Sequence, residues 1–194
     1  MVGRLARKVR EQYRRIDLAF RPGRYGPAVL RELLEHTTDL GIARFEHAPP
    51  GVESRAVASE RGVLAVPVGH PVAAAASVCF ADLRGEPFIM LPEAFGSAVR
   101  AMFVFGCHAA GFAPDIVQTA PDSWTCVALV AAGVGLHYTT DSAVRQMTLD
   151  GVRIVPLTEE IPPVFSYLLW RTGDRDPALA NVLGLSEQVL PTVT

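Results

Sequence analysis

Leu129-Val-Ala-Ala-Gly-Val-Gly-Leu-His-Tyr-Thr-Thr140 is the stretch on which the reading of this chain turns. An apolar helical run stops at Gly133, and glycine just past a helix end takes φ > 0 without steric cost. Four residues on, His137 and Tyr138 bring polar tips to a short emerging strand. A tight helix-to-strand turn of this kind either lines a ligand cleft or is an ordinary buried connection, and the stretch alone leaves both open. Working outward, the same rhythm recurs on each side. Ser97 is placed to cap a helix running to Ala110, ended by Gly111; a strand follows at 115–119, and Asp122 or Ser123 caps the helix 124–132. Upstream, Leu5, Val9 and Tyr13 recur at spacing four on a helix over 2–14, and Ile16–Phe20 alternates as a strand. Pro27 opens a helix to about His36, and Asp39–Arg44 is a short strand. Strands at 53–58, 62–68, 88–91, 152–157 and 165–170, a helix at 141–147 and a closing helix at 177–190 complete the chain. Strand–helix alternation on this scale is the pattern of parallel sheets covered by helices.

Composition bounds the possibilities. At 194 residues, 49% of them hydrophobic, the chain has enough apolar material for one domain or two small lobes. Net charge is only −2, which argues against nucleic-acid binding over the whole surface. The charge is uneven, however: residues 1–24 carry eight basic side chains against Glu11 and Asp17. A solvated helix face accounts for this more simply than a nucleic-acid contact. Cys79, Cys107 and Cys126 are odd in number, lack metal-type spacing and read as buried thiols. Residues 62–81 contain no Asp, Glu, Lys or Arg, but Pro67, Gly69, His70 and Pro71 break them into strand and turn rather than a membrane span. His36, His47 and His70 have no ligand spacing, and Cys107-His108 point about 100° apart on a helix. No cofactor, metal site or catalytic constellation is expected, and the chain is read as not an enzyme.

Five motifs in order carry a family resemblance: Asp39-Leu-Gly-Ile-Ala-Arg44, Val63-Leu-Ala-Val66 with His70-Pro71, Asp82-Leu83 with Pro87-Phe-Ile89, Gly111-Phe-Ala-Pro114, and Leu129–Gly135. Together they resemble the effector-binding domain of LysR-type transcriptional regulators. The resemblance implies an α/β, two-lobed fold of the type 2 periplasmic-binding-protein kind, each lobe a mostly parallel sheet flanked by helices. Lobe I would be 1–59 plus 162–194, and lobe II 60–161. It further implies a cytoplasmic domain that binds a small, anionic effector between the lobes, self-associates as dimer or tetramer, has no membrane partner, and meets DNA only through a helix-turn-helix. A solute-binding protein of the same fold is the alternative.

Two departures from the family stand out. The helix-turn-helix is not in this sequence. Nor is the strand with which the family's effector domain begins, since Met1 falls inside or just before the first helix. A strand missing from a sheet centre leaves backbone unpaired, so a non-standard first lobe or altered association is expected.

Candidate effector residues follow from chemistry and place. Arg44 ends a buried strand and offers a planar donor set for a carboxylate. Tyr25 and Gly26 precede a helix whose free N–H groups favour anions. Glu93, Phe95, Gly96 and Ser97 sit equivalently before another, with Gly96 and Ser97 as donors and Phe95 as an apolar cover. Ser123 and Trp124 open the next helix, Trp124 reading slightly better as core. His137 and Tyr138 fall where the family has cleft-lining residues, but Thr139-Thr140 stands where relatives carry proline nearby, so the pocket need not share its relatives' polarity.

Overall fold

Gly133 stands at φ +77°, directly after α4 (Ser123–Ala131), and its N–H donates to Val130 O at 2.9 Å while Val134 N–H reaches back to Leu129 O at 3.1 Å. That pair of bonds satisfies carbonyls a helix end would otherwise leave open. Gly135 is glycine for a different reason: a Cβ there would lie 2.6 Å from Pro87 O. The close approach lets Leu136 N–H donate to Pro87 O and Ile89 N–H donate to Leu136 O, both at 2.8 Å.

In the computed structural model, residues 2–45, 49–145 and 147–193 are described. The chain divides into two compact units, Met1–Ser59 with Phe165–Thr194, and Glu60–Val164.

The second unit is built around the Gly135 contact. Strand β3 (Gly62–Pro67) is flanked antiparallel by β6 (His137–Thr140) and β7 (Val152–Pro156). Strand β4 (Pro87–Met90) pairs parallel with β5 (Asp115–Thr119), and a parallel bridge between Phe88 and Leu136 joins β4 to the end of β6. The order is thus β5-β4-β6-β3-β7, with β3 alone running against the rest. Helix α3 (Ala98–Ala109) links β4 to β5, and α4 links β5 to β6; helical crossovers return the chain in the same direction, which is why these three strands are parallel. On one face, Phe80, Phe88, Phe103, Leu136 and Tyr138 form the core. Alternation puts Ala65 and His137 on the opposite face of the sheet.

The first unit has a three-stranded sheet, order β1-β8-β2, from β1 (Leu40–Arg44), β8 (Val164–Arg171) and β2 (Val52–Glu60). Successive residues of β8 serve its two faces. Leu168 packs with Leu5 and Val9 of α1 (Val2–Gln12) and Val182 and Leu185 of α6 (Pro177–Val189). Leu169 packs with Val29 and Leu33 of α2 (Gly26–Leu34). The Arg171 side chain donates to Leu33 O and Thr38 O and bonds Asp39 and Asp174, tying the end of β8 to the end of α2.

Two expectations need correction here. Ile16–Phe20 is not a strand: it has no regular structure and belongs to no ladder of the described residues. Alternating residues make a strand only where a neighbour supplies hydrogen bonds, and no strand of the described residues pairs with it. The expectation of mostly parallel sheets fits the second unit but not the first, where β1 and β8 are antiparallel. Other differences are shifts of a few residues at element ends. The helix expected at 141–147 is α5 (Asp141–Val144), and its expected end passes through Gln146, which, like His47, lies outside the described residues.

The two glycines of the α4–β6 turn predict a contrast measurable by chemical denaturation. Gly133→Ala, strained in φ with open space around it, should cost about 1 kcal/mol. Gly135→Ala, forced against backbone, should cost more, about 2–3 kcal/mol.

Candidate functional site

In the first unit, sequence places Tyr25, Gly26 and Arg44 on different elements, and folding gathers them. Tyr25 is the N-cap of α2, extended at φ −109°, with no side-chain capping bond. Gly26 is buried, and a Cβ there would meet Phe45 Cε1 at 3.0 Å and Arg44 O at 3.3 Å. Absence of a side chain therefore lets the start of α2 lie directly on the end of β1. Arg44, half-buried, is the last residue of that strand and pairs across to Ser166. Amides in the first helical turn lack intrahelical acceptors, and α2 has no carboxylate in its first turn, so a positive helix end starts against the backbone of Arg44.

In the second unit, the segment before α3 folds as a single tight helical turn, Glu93–Phe95, closed by Gly96 at φ +60°. Gly96 N–H is already committed to Glu93 O at 2.9 Å, so it is not the ligand donor the sequence suggested. Ser97, 8% exposed, caps α3 by accepting from Arg100 N–H at 3.4 Å, which leaves its hydroxyl proton to donate elsewhere. Arg100 went unnoticed in the sequence. Its guanidinium donates to Leu91 O at 3.0 Å and lies 3.9 Å from the Glu93 carboxylate, bracing the turn. Its position three residues after an N-cap serine was the available signal.

The start of α4 is different. The Asp122 carboxylate accepts from Thr125 N–H at 2.8 Å and from its hydroxyl at 3.1 Å. A helix end already holding a carboxylate repels a second anion, so α3, capped by a neutral serine, is the better anion site of the two. Ser123 is partly exposed beside it. Trp124 is 56% exposed, contrary to the core reading, because the buried stripe of α4 runs through Cys126, Val127 and Val130 instead.

His137 and Tyr138 are both 1% exposed. Tyr138 is a core residue: its ring stacks on Phe103 with centroids 5.2 Å apart and tilts against Phe80 at 6.3 Å. Gly62 makes room for it, since a Cβ there would fall 1.9 Å from the phenol oxygen. Enclosed in this way, Tyr138 offers no surface to a ligand, which corrects its place among the cleft residues. The period-2 pattern of a strand does not say which face is core, and Thr139 and Thr140 are buried as well. His137 Nδ1 lies 2.8 Å from Ile89 O and its Nε2 has no partner among the described residues. Nδ1 is therefore the protonated nitrogen, and burial pushes the ring's pKa down to about 4 despite that bond. Burial likewise raises the thiols of Cys107 and Cys126 to about 12, which makes them unreactive.

Taken separately, the first unit offers helix-end amides and an arginine at a strand end, and the second a serine hydroxyl at a helix start; these are groups that bind ligands. The class is confirmed by comparison: the family model for the LysR substrate binding domain matches residues 1–190, and the chain belongs to that family. It is thus the effector-binding domain of a LysR-type regulator, a family of transcription regulators and not of enzymes. The HTH-type transcriptional regulator AlsR of Bacillus subtilis is 34% identical over 121 residues, covering 61% of this chain and 39% of that protein. The chain therefore spans well under two thirds of the regulator it matches. Among solved structures, the effector-binding domain of QuiR in complex with shikimate has a TM-score of 0.80 at 17% identity, covering 98% of this chain and 90% of that one. The BenM effector-binding domain with its effector benzoate has a TM-score of 0.74 at 23% identity, covering 97% and 85%. At these identities the likeness establishes the fold. No helix of the described residues is long and apolar enough to cross a membrane.

His137 predicts a pH dependence of stability. Its folded pKa lies below the unfolded value of about 6.5, so the unfolded chain takes up the proton first; stability is full above pH 6.5 and falls as pH drops toward 4, by up to about 3 kcal/mol. In urea titrations at pH 7.5 and 5, His137→Gln should show a markedly smaller loss between the two than the parent chain.

Proposed function

We propose that this domain senses a small metabolite bearing a carboxylate, and that binding sets the geometry of a larger DNA-binding assembly. The observation that carries the reading is the family match across residues 1–190. The anionic character is supported by the two fold neighbours described, whose bound molecules, shikimate and benzoate, each contain one carboxylate.

In this reading the lobes of the family fold are 1–59 plus 162–194 and 60–161, and the effector lies in the cleft between them. Arg44 and the α2 start at Tyr25-Gly26 receive the carboxylate from lobe I. Ser97 and Ser123 supply hydroxyls from lobe II, while Phe95 and Trp124 cover the apolar body. The Nε2 of His137 accepts a hydrogen bond if the effector or a water reaches it. Glu93 holds Arg100 and shapes the α3 turn rather than meeting the anion, because two carboxylates would repel. Effector binding shifts the arrangement of the lobes only to the extent that one arrangement binds it more tightly. Self-association through this domain then passes the shift to a helix-turn-helix carried by the longer regulator, in the cytoplasm.

The test is a thermal-shift screen of small carboxylates, beginning with shikimate and benzoate. A ligand at about a hundredfold above its Kd should raise Tm by roughly 5–10 °C. Arg44→Ala should abolish the shift for carboxylates relative to its own unliganded Tm. Equal shifts in both proteins would remove Arg44 as the anchor, and no shift from any carboxylate would overturn the anionic reading.

A further inference from the structure

Strand β2 is the longest of the described residues and has one strand neighbour, β8. Just outside the two strands, Gly51 O accepts from Thr172 N–H at 3.1 Å. Backbone groups alternate in direction along a strand, so residue 56, five on, turns its N–H and C=O away from β8. On that outer side Ala56 O accepts from Val193 N–H at 3.1 Å. Among the described residues, this is the single backbone hydrogen bond that residues 53–59 make outside the strand ladder. Val193 belongs to the segment that follows α6. At its root, Leu190 is 1% exposed and shares an apolar cluster with Val57 of β2. The Arg55 guanidinium donates to Leu190 O and, at 2.6 Å, to Ser186 Oγ of α6. Beyond this anchor, Pro191 and Thr192 are exposed and Val193 is half-buried. The segment thus meets the outer edge of β2 as a strap, fixed firmly at Leu190 and tied by one hydrogen bond at Val193.

An open strand edge is a template for another chain, and proteins blunt such edges with lysine, proline, a bulge or a covering segment. β2 reads Val52-Glu-Ser-Arg-Ala-Val-Ala-Ser-Glu60 and contains no lysine or proline. A second copy fits it antiparallel about Ala56. That register sets Ser54 against Ala58 and Glu53 against Ser59, with no like charges opposed. Such a pair is self-complementary, as a twofold interface requires. The strap makes a poor template in its turn, because Pro191 has no N–H to offer a further strand. We infer that residues 191–193 guard the outer edge of β2 against pairing with a second copy, and that their release lets two copies join their sheets there. One hydrogen bond and one half-buried side chain are a weak hold, of the kind that opens locally while the rest of a fold stays closed. The buried Leu190 and its Arg55 contact keep the strap in reach of the edge, so closing competes directly with pairing.

The test is sedimentation velocity across a concentration series, with far-UV circular dichroism showing that each variant is folded. Val193→Pro removes the strap's N–H and leaves the Leu190 anchor in place; deletion of residues 191–194 removes the strap itself. Both chains should show an added species of twice the parent's mass, with association tightened by at least about tenfold. Ala56→Pro, added to the Val193→Pro chain, takes away an outward N–H that β8 does not use and should return the parent's sedimentation. Ser54→Lys with Ala58→Lys in the same background should do so as well, by setting like charges face to face. Identical sedimentation of the parent, the Val193→Pro chain and the deletion would overturn the guard. Association that survives both the Ala56→Pro change and the lysine pair would place the contact elsewhere and overturn it too. A parent chain reduced to a smaller species by Ala56→Pro alone would show the edge already paired, with the same result.

Discussion

Two backbone hydrogen bonds, Leu136 N–H to Pro87 O and Ile89 N–H to Leu136 O, hold the second unit together as one sheet. Without them, β5-β4 and β6-β3-β7 would be separate pieces. The bonds require the chain after α4 to come within backbone contact of Pro87, and only residue 135 without a Cβ permits that. Everything carried by α3 and α4 inherits its position from this junction: the Ser97 cap, the Asp122 cap and the face on which His137 stands. A chemically silent stretch of sequence thus fixes where the polar groups of the unit are presented.

Much of this architecture was legible because local rules and tertiary demands agree. Ser97 and Asp122 cap helices for reasons contained within four residues. Gly133 follows its helix at positive φ for the same local reason. Five motifs in order gave the family before any contact was known. Ile16–Phe20 failed because a strand is a property of two segments, and alternation reports only on one of them. Parallel pairing failed in the first unit for a related reason. β8 reaches that sheet after more than a hundred residues elsewhere, and no helical crossover dictates its direction.

The candidate site was legible in its chemistry more than in its exposure. Arg44 follows Gly26 by 18 residues in sequence, yet its backbone meets the start of α2. Ser97 keeps a donor that Gly96 has spent on its own turn. Tyr138 and Trp124 exchanged roles, the first going to the core and the second to the surface. Both outcomes depend on which side of an element faces its neighbours, and one residue of phase decides that. The space accepting Tyr138 is opened by Gly62, 76 residues earlier, a correlation that no local window contains.

The strand order β1-β8-β2 has a consequence for how the protein is made. The middle strand of the first unit comes from residues 164–171, after the whole of the second unit has been synthesised. On the ribosome, β1 and β2 must wait as unpaired edges while residues 60–164, which are contiguous, fold first. The first unit closes only when β8 threads between them, a step of high sequence separation and therefore slow. Until then, the basic amino-terminal helix and both strands flanking that gap are exposed to whatever the nascent chain meets.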